Sequence, residues 1–197
     1  MVTSGTDEAL AGRAAGGDLD AFEELLARYR DRVFRICLRC AGNHEDAEDW
    51  AQECLVRVFR QLHRYQPTRP FTPWLLRVVA NTCVNLGKAR LRRHGRLQLG
   101  LDDGLPIACR APGPAARAIA AGDQRDALRA VDDLPPEMRV AVILRVLEEL
   151  TFRELGEALG VPLPTAASRV RRALQRTRTA LRAASDRASG ERGFGQR

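Results

Sequence analysis

The sequence lacks any long apolar segment and any alternation of apolar and polar residues of the kind that forms β-strands. No run of about 18 uncharged apolar residues is present, which excludes a membrane-spanning helix. Residues 1–8 also lack the basic stretch followed by an apolar stretch that marks an export signal. We therefore expect a cytoplasmic protein with an all-α fold and no membrane insertion.

Cysteine is scarce and odd in number, at five in 197 residues, so a framework of disulfides is not expected in a chain without an export signal. Cys37, Cys40 and His44 share one face of a predicted helix with a spacing that suits a metal ion, and Cys54 is a further candidate. Because buried cysteines more often serve as small apolar side chains, we predict no metal and no cofactor. The sequence leaves a redox or metal role open for Cys37, Cys40, Cys54, Cys83 and Cys109.

Acidic residues are absent from two long stretches of a chain whose net charge is +7. Residues 54–101 contain ten Lys or Arg and no acid, and residues 158–185 contain six Arg and no acid. A basic surface without carboxylates suits a polyanionic partner, although composition alone does not separate DNA from RNA or a membrane surface.

Five carboxylates are concentrated instead in residues 45–53, with no basic residue among them. Successive positions on a helix point in different directions, so these carboxylates do not converge on one ion, and no catalytic set is recognisable. We therefore expect no enzyme activity. An acidic surface repels DNA, so we predict that this one docks on a basic protein surface.

Residues 6–94 show the apolar periodicity of a bundle of four helices. A short helix is predicted over residues 6–15. Asp20 is the predicted cap of a long second helix, Asn43 of a third and Thr72 of a fourth, which ends in a group of basic residues. These helices form one domain.

A second domain is predicted after a break in the pattern. Residues 95–122 contain five glycines and three prolines, which indicates a flexible linker. Helical periodicity returns over residues 123–184, and residues 185–197 are predicted to be a disordered tail. The fold class is therefore two small helical domains joined by a linker.

The second domain carries the pattern of a helix-turn-helix. Thr151 and Glu154 form a capping box, Gly160 stands where a helix ends, and a new helix begins near Thr165 with a basic outer face. In a helix-turn-helix the second helix presents such a face to base edges in the major groove. The alternative is a basic helix that simply faces solvent.

A Pro-rich loop precedes the basic helix of the first domain, and Tyr65, Phe71 and Trp74 surround it. Aromatic faces beside positive charge are a common way of holding unpaired bases. Two alternatives stay open: each ring is individually more typical of a core, and basic residues also gather at helix C-termini to satisfy the helix dipole.

Fragments distributed from Asp7 to Leu181 resemble, in order and spacing, the extracytoplasmic-function (ECF) RNA polymerase sigma factors. This family combines a sigma-2 domain with a sigma-4 domain that contains a helix-turn-helix. The fragments are Ala21-Phe22-Glu23-Glu24-Leu25, residues 46–53, residues 69–75, Val79-Ala80-Asn81-Thr82, Leu134-Pro135, residues 150–161 and Ser168-Arg169.

The resemblance implies that residues 6–94 dock on the β′ clamp helices of core RNA polymerase and open the downstream promoter element, with Asn81 lining a pocket for a flipped base. It implies that residues 123–184 pack on the β flap and read the upstream element. The implied polymerase contacts are Asp46, Asp49, Gln52 and Glu53. The candidate downstream contacts are Tyr65, Phe71, Trp74, Arg77, Asn81, Asn85, Lys88 and Arg92, and the candidate upstream contacts are Thr165, Ser168, Arg169, Arg171, Arg172 and Arg176.

One departure concerns the start of the recognition helix, where the family usually has a basic residue and this chain has Ala167. Ser168, Arg169 and Arg172 therefore become the best candidates for base contacts. The chain has no long C-terminal extension, which favours regulation by a separate protein such as an anti-sigma factor. The alternative function is a stand-alone helix-turn-helix regulator, for which the opposed acidic and basic faces of residues 6–94 have no evident use.

Overall fold

The computed structural model describes residues 5–93 and 124–193, and these residues form helices and no β-strand. The predicted all-α fold is therefore confirmed. The predicted linker, and Cys109 within it, lie outside the described residues. The helices are α1 (Asp7–Ala15), α2 (Leu19–Ala41), α3 (His44–Gln61), α4 (Phe71–Arg93), α5 (Gln124–Asp132), α6 (Pro136–Leu147), α7 (Phe152–Leu159) and α8 (Leu163–Gly193), with a 3₁₀ turn at Leu62–Arg64 after α3.

Helices α1–α4 form the N-terminal bundle, and local capping sets most of its helix starts. The Asn43 side chain accepts the backbone N–H of Asp46 at 2.8 Å, which confirms Asn43 as the cap of α3. The predicted Asp20 cap of α2 is wrong. Asp18 has the extended backbone of a cap and accepts the N–H of Ala21 at 3.0 Å, whereas Asp20 already lies inside the first turn.

The start of α4 is stabilised by a residue that is distant in the sequence. The helix starts at Phe71, one residue before the predicted Thr72 cap, and the Phe71 N–H donates to Oε1 of Glu8 on α1 at 3.1 Å. The Thr72 hydroxyl instead pairs with the hydroxyl of Tyr29 at 2.8 Å. An N–H in the first turn of a helix has no partner within that helix, and here the N–H of Phe71 is paired by a residue of another helix. These tertiary contacts position the basic helix against α1 and α2.

Helices α5–α8 form the C-terminal bundle, which contains the predicted helix-turn-helix. Thr151 and Glu154 make the reciprocal bonds of a capping box at the start of α7, and Gly160 ends that helix with a φ of +66°. The predicted disordered tail differs from the structure, because α8 continues to Gly193. Residues 179–188 are rich in Ala and Arg, which are strong helix formers, and this explains the longer helix.

The two bundles share one hydrophobic core in this structure, because α6 and α7 pack against α4. Gly87 on α4 makes the approach possible, since a Cβ at this position would lie 2.9 Å from Cβ of Pro136 on α6. Arg139 on α6 donates from Nη1 to the backbone carbonyl of Cys40 at 2.8 Å. The C-terminal bundle therefore covers part of the basic helix of the N-terminal bundle.

Candidate nucleic-acid and protein interfaces

Helix α8 presents the basic face predicted to read DNA. Ala166, Val170, Ala173 and Thr177 are buried at spacings of three and four residues, which sets the opposite side of the helix toward solvent. On that side Arg171 and Arg176 are exposed, and Thr165, Ser168, Arg169 and Arg172 are half-buried. The Ser168 hydroxyl donates to the Thr165 carbonyl at 3.0 Å. Ala167, the unusual residue of the turn, is buried and so points away from this face.

Helix α4 carries the predicted downstream contacts along one stripe. Arg77, Asn81 and Asn85 are all exposed and follow one another at intervals of four residues, which places them on the same helix face. Arg92 is also exposed, near the end of the helix. Lys88 belongs to the same region, but its ammonium is paired with Glu137 of the C-terminal bundle at 2.5 Å.

The three predicted aromatic contacts form a ring cluster in which two members are core residues. Tyr65 is 5% exposed and Phe71 is 1% exposed, so neither offers a face to a base. Only Trp74 is partly accessible, and its ring centroid lies 5.4 Å from that of Tyr65 and 5.6 Å from that of Phe71. Burial also raises the pKa of the Tyr65 hydroxyl. Tyr65 and Phe71 thus pack around Trp74 and are not accessible in this structure.

The acidic residues of α3 differ in how far they are already paired. Asp46 accepts from Nδ2 of Asn43 at 2.6 Å and pairs with Nη1 of Arg90 at 3.0 Å. Glu53 pairs with Nε of Arg57 at 2.6 Å. Asp49 and Gln52 are exposed. Of the four predicted polymerase contacts, Asp49 and Gln52 are therefore the most accessible.

An apolar groove between α2 and α3 was not predicted from the sequence. It encloses about 700 Å³, and Leu19 and Phe59 within it are 62% and 50% exposed. Arg30, Asp31, Glu48 and Gln52 also line it and make part of it charged or polar. The apolar lining consists of Leu19, Phe22, Leu26, Phe34, Ala51, Leu55, Val56 and Phe59. The sequence of α3 does contain an indication of this groove, because Leu55 and Phe59 lie outside the stripe of Trp50, Cys54 and Val58 that fills the core.

The two predicted DNA-reading regions lie close together in this arrangement. The Arg77 guanidinium would be 3.6 Å from a Cβ placed on Gly160, the residue that begins the turn of the helix-turn-helix. Arg32 on α2 donates from Nε to Glu148 at 2.6 Å, which adds a second charged link between the bundles. The C-terminal bundle therefore lies beside Arg77 and Lys88 of α4 and leaves Asn81 and Asn85 exposed.

Four cysteines occupy the interior of the N-terminal bundle. Cys37, Cys54 and Cys83 have their sulfur atoms within 4.8 Å of one another, and Cys40 is buried beside them. Hydrogen bonds from the thiols of Cys54 and Cys83 lower the pKa of Cys37 to about 5. His44, predicted to share a face with Cys37 and Cys40, instead lies exposed against the ring of Phe34 and beside Glu48.

Among the described residues, no helix combines the length and the apolar character needed to cross a bilayer.

Both bundles match known protein families. Residues 25–97 match Sigma-70 region 2, and residues 124–177 match Sigma-70 region 4. The ECF RNA polymerase sigma factor SigE of Mycolicibacterium smegmatis is 36% identical over 165 residues, which are 83% of this chain and 62% of SigE. The chain thus spans less than two thirds of the length of that relative.

Two further proteins are similar over nearly their whole length. The RNA polymerase sigma factor CarQ of Myxococcus xanthus is 32% identical over 169 residues, which are 86% of this chain and 94% of CarQ. CnrH, solved in complex with the cytosolic domain of CnrY, is 26% identical with a TM-score of 0.61, and the match covers 91% of this chain and 99% of CnrH. The chain therefore belongs to the ECF RNA polymerase sigma factors.

Proposed function

We propose that this sigma factor binds core RNA polymerase through the N-terminal bundle and directs it to promoters of a specific regulon, reading the upstream element with α8 and opening the downstream element with α4. The role is non-enzymatic and belongs to the cytoplasm, where polymerase and chromosome meet. The observation that carries the proposal is the pairing, in one chain, of an acid-bordered apolar groove with two acid-free basic helix faces. A stand-alone regulator needs the basic faces but has no use for the groove.

The groove between α2 and α3 is the surface that we propose for the polymerase β′ clamp helices. Interface cores are rich in exposed aromatic and large apolar side chains, and Leu19 and Phe59 meet that description. Asp49, Gln52 and Glu53 lie on α3 beside it and complement a basic partner surface. Asp46 is already held by Arg90, so we assign it to the structure of the bundle more than to docking.

The exposed face of α8 is the surface that we propose for the upstream element, with the other side of the C-terminal bundle available to the β flap. Arg169 and Arg172 are placed for base edges, because a bidentate guanidinium reads guanine in the major groove. Arg171 and Arg176 are more exposed, and phosphate contacts need only reach and charge. Buried Ala167 leaves no side chain for this interface.

The stripe on α4 is the surface that we propose for the opened downstream element. Asn81 offers an amide to the edge of a flipped base, and Trp74 offers the partly accessible face of a supported ring. Arg77, Asn85 and Arg92 extend the stripe along the backbone of the unpaired strand.

The arrangement of the two bundles is, in this proposal, the form that precedes promoter binding. Lys88 is occupied by Glu137, and Arg77 lies beside Gly160. Asn81 and Asn85 are already exposed in this form, but Lys88 becomes available to DNA only after its pair with Glu137 breaks, so in this proposal the bundles separate on binding polymerase. CnrH was solved with the cytosolic domain of CnrY, and we propose that this chain too is held by a separate protein of the anti-sigma class until it is released.

Run-off transcription with purified core polymerase and a library of promoter fragments tests this function. We expect transcripts from a defined subset of promoters only when the protein is added. Active core polymerase that produces no promoter-dependent transcript, together with tight duplex binding by the protein alone, would support the stand-alone regulator instead.

A further inference from the structure

Four cysteines from three different helices meet in the core of the N-terminal bundle. Cys37 and Cys40 lie on α2, Cys54 on α3 and Cys83 on α4, and none of them is more than 1% exposed. Cys37 and Cys40 are one helical turn apart, the spacing at which two ligands on one helix reach the same ion. The four thiols thus provide the ligand type of a thiolate metal site. Helix packing brings them together from three parts of the sequence.

Two of the sulfur separations match those of a tetrahedral site. Sγ of Cys37 lies 3.8 Å from Sγ of Cys54 and 3.9 Å from Sγ of Cys83. The sulfur of Cys40 lies farther out, since only those of Cys37, Cys54 and Cys83 are within 4.8 Å of one another, so the buried Cys40 side chain has to turn toward them to provide the fourth ligand. A tetrahedral zinc ion with Zn–S bonds of about 2.3 Å keeps neighbouring sulfurs about 3.8 Å apart.

A disulfide fits the same positions less well. Two bonded sulfurs are about 2.0 Å apart, so Cys37 and Cys54 would have to approach by nearly half their present separation inside a packed core. An ion at the centre of the group needs only small adjustments of the side chains. Reduced thiols packed against each other also match these distances, and the experiment below separates that arrangement from a metal site.

We propose that Cys37, Cys40, Cys54 and Cys83 bind one zinc ion. Each thiol loses its proton to solvent as its sulfur bonds to the ion, so full binding releases one proton per ligand and involves no change of oxidation state.

The site would join the helices that carry both proposed interfaces of the N-terminal bundle. The polymerase groove lies between α2 and α3, and the downstream stripe lies on α4. One ion bound to all three helices fixes their relative positions, because a metal that binds only the folded chain stabilises it. Metal binding would therefore stabilise the bundle independently of whether the protein is bound to polymerase.

The experiment uses the full chain carrying Cys109→Ser, so that only the four core cysteines remain, prepared reduced and metal-free. Native mass spectrometry counts bound Zn²⁺, and Co²⁺ substitution is followed by the absorption of thiolate–cobalt bonds. Cys54→Ala and Cys83→Ala each remove one ligand. Val79→Ala is the matched control, since it truncates a fully buried residue of α4 that bears no thiol.

We expect one Zn²⁺ per chain, a thiolate–cobalt spectrum, and a rise in Tm when Zn²⁺ is added. Loss of a residue that only supports a metal ligand typically weakens binding about 10- to 100-fold. Loss of a ligand itself, in Cys54→Ala or Cys83→Ala, should weaken Zn²⁺ binding by more than this, while Val79→Ala keeps the affinity of the parent. The proposal is overturned if the folded, reduced parent binds no Zn²⁺ and shows no Tm change, or if it binds Zn²⁺ equally well after Cys54→Ala. Measurement of Zn²⁺ binding by the parent requires no substitution in the core. The proposal is therefore tested even if Cys54→Ala or Cys83→Ala fails to fold.

Discussion

The ammonium of Lys88 lies 2.5 Å from Oε1 of Glu137, and this pair joins the helix proposed to open DNA to the domain proposed to read the upstream element. Lys88 is the only lysine of the chain. In this arrangement the carboxylate of Glu137 neutralises the ammonium that we propose for contact with DNA. Separation of the two bundles would therefore free Lys88, whereas Arg77, Asn81 and Asn85 of the stripe are already exposed.

Gly87→Ala should favour that separation. The added Cβ would meet the rigid ring of Pro136 at 2.9 Å, whereas Ala in place of Gly stabilises a helix interior by about 0.5–1 kcal/mol. We expect α4 to remain helical while the distance between the bundles increases, as measured by small-angle scattering and by fluorescence energy transfer. Gly12→Ala is the control, because its Cβ would also approach a proline, Pro67 at 3.1 Å, but within one bundle. An unchanged distance in Gly87→Ala would show that this contact does not hold the bundles together.

Phe59→Ala should weaken binding to core polymerase with little effect on folding. The ring is 50% exposed and lines the groove, so its removal deprives a partner of an apolar contact. We expect a loss of at least about 1 kcal/mol, measured by competition for core polymerase. Reversal of Asp49 and Glu53 to Lys should weaken the same binding through charge.

The control for these variants is Arg60→Ala, an exposed neighbour that does not line the groove. DNA binding by the C-terminal bundle should be the same in all of them. Core affinity equal to that of the parent in both Phe59→Ala and the charge reversal would rule out the groove as the docking surface.

Arg172→Ala should relax the preference for the upstream element. A good bidentate base contact is worth about 1–3 kcal/mol of discrimination, so competing sequences should gain relative to the best site. Arg178→Ala serves for comparison, since Arg178 is exposed two positions beyond Arg176 and a phosphate contact there lowers affinity equally for all sequences. Binding profiles across a site library measure both effects, and an unchanged profile for Arg172→Ala would remove this residue from base recognition.

Asn81→Ala should slow strand opening while leaving the fold intact, because Asn81 is exposed. A flipped base costs a few kcal/mol of unstacking, and the lost amide contact removes part of what offsets that cost. Permanganate reactivity of thymines in the downstream element reports opening. A template that is already unpaired there should restore much of the activity, and a defect of equal size on both templates would contradict a role in opening.

Asp132→Asn should raise the Tm at pH 7. Burial is the largest effect on Asp132 and raises the pKa of its carboxyl above the ordinary 3.8, against the opposing influence of Arg139, Arg90 and Arg39. The folded chain therefore holds this proton more tightly than the unfolded chain, and stability falls as the pH rises through the window above 3.8.

The gain from Asp132→Asn should disappear at a pH below that window, where the carboxyl is protonated in both states. Exposed Asp133 offers the comparison: Asp133→Asn removes a charge next to the same helix and also relieves the repulsion that helps to raise the Asp132 pKa, so its gain in Tm should be present but smaller. Thermal melts at two pH values measure the difference. A lower Tm for Asp132→Asn at pH 7 would mean that attraction to the arginines outweighs the cost of burial.

Features that depend on neighbours within one helical turn were predictable. The capping box of Thr151 and Glu154, the Asn43 cap and the end of α7 at Gly160 all involve bonds or backbone angles local to a few residues. The charge segregation was equally visible, because it is a property of the sequence itself. The family followed from the order of the fragments, and both bundles of the structure agree with it.

Features that depend on distant partners were not predictable. The start of α4 is set by Glu8, which is 63 residues away from Phe71, and nothing local to Phe71 distinguishes it from Thr72 as the helix start. Tyr65 and Phe71 looked like candidates for base contacts, yet packing against α1, α2 and Trp74 places them in the core. His44 shares a helical periodicity with the cysteines but lies beyond the end of α2, where the chain has already turned.

The sequence by itself therefore determined that this protein is helical, has two domains of which the first has opposed acidic and basic faces, and belongs among the sigma factors. Helix periodicity, caps and charge are properties of short segments. Only the tertiary structure decided that an apolar groove is left open between α2 and α3, that thiols from three helices meet, and that Glu137 forms an ion pair with Lys88. Each of these depends on side chains far apart in the chain, and their proximity is set by how the helices pack.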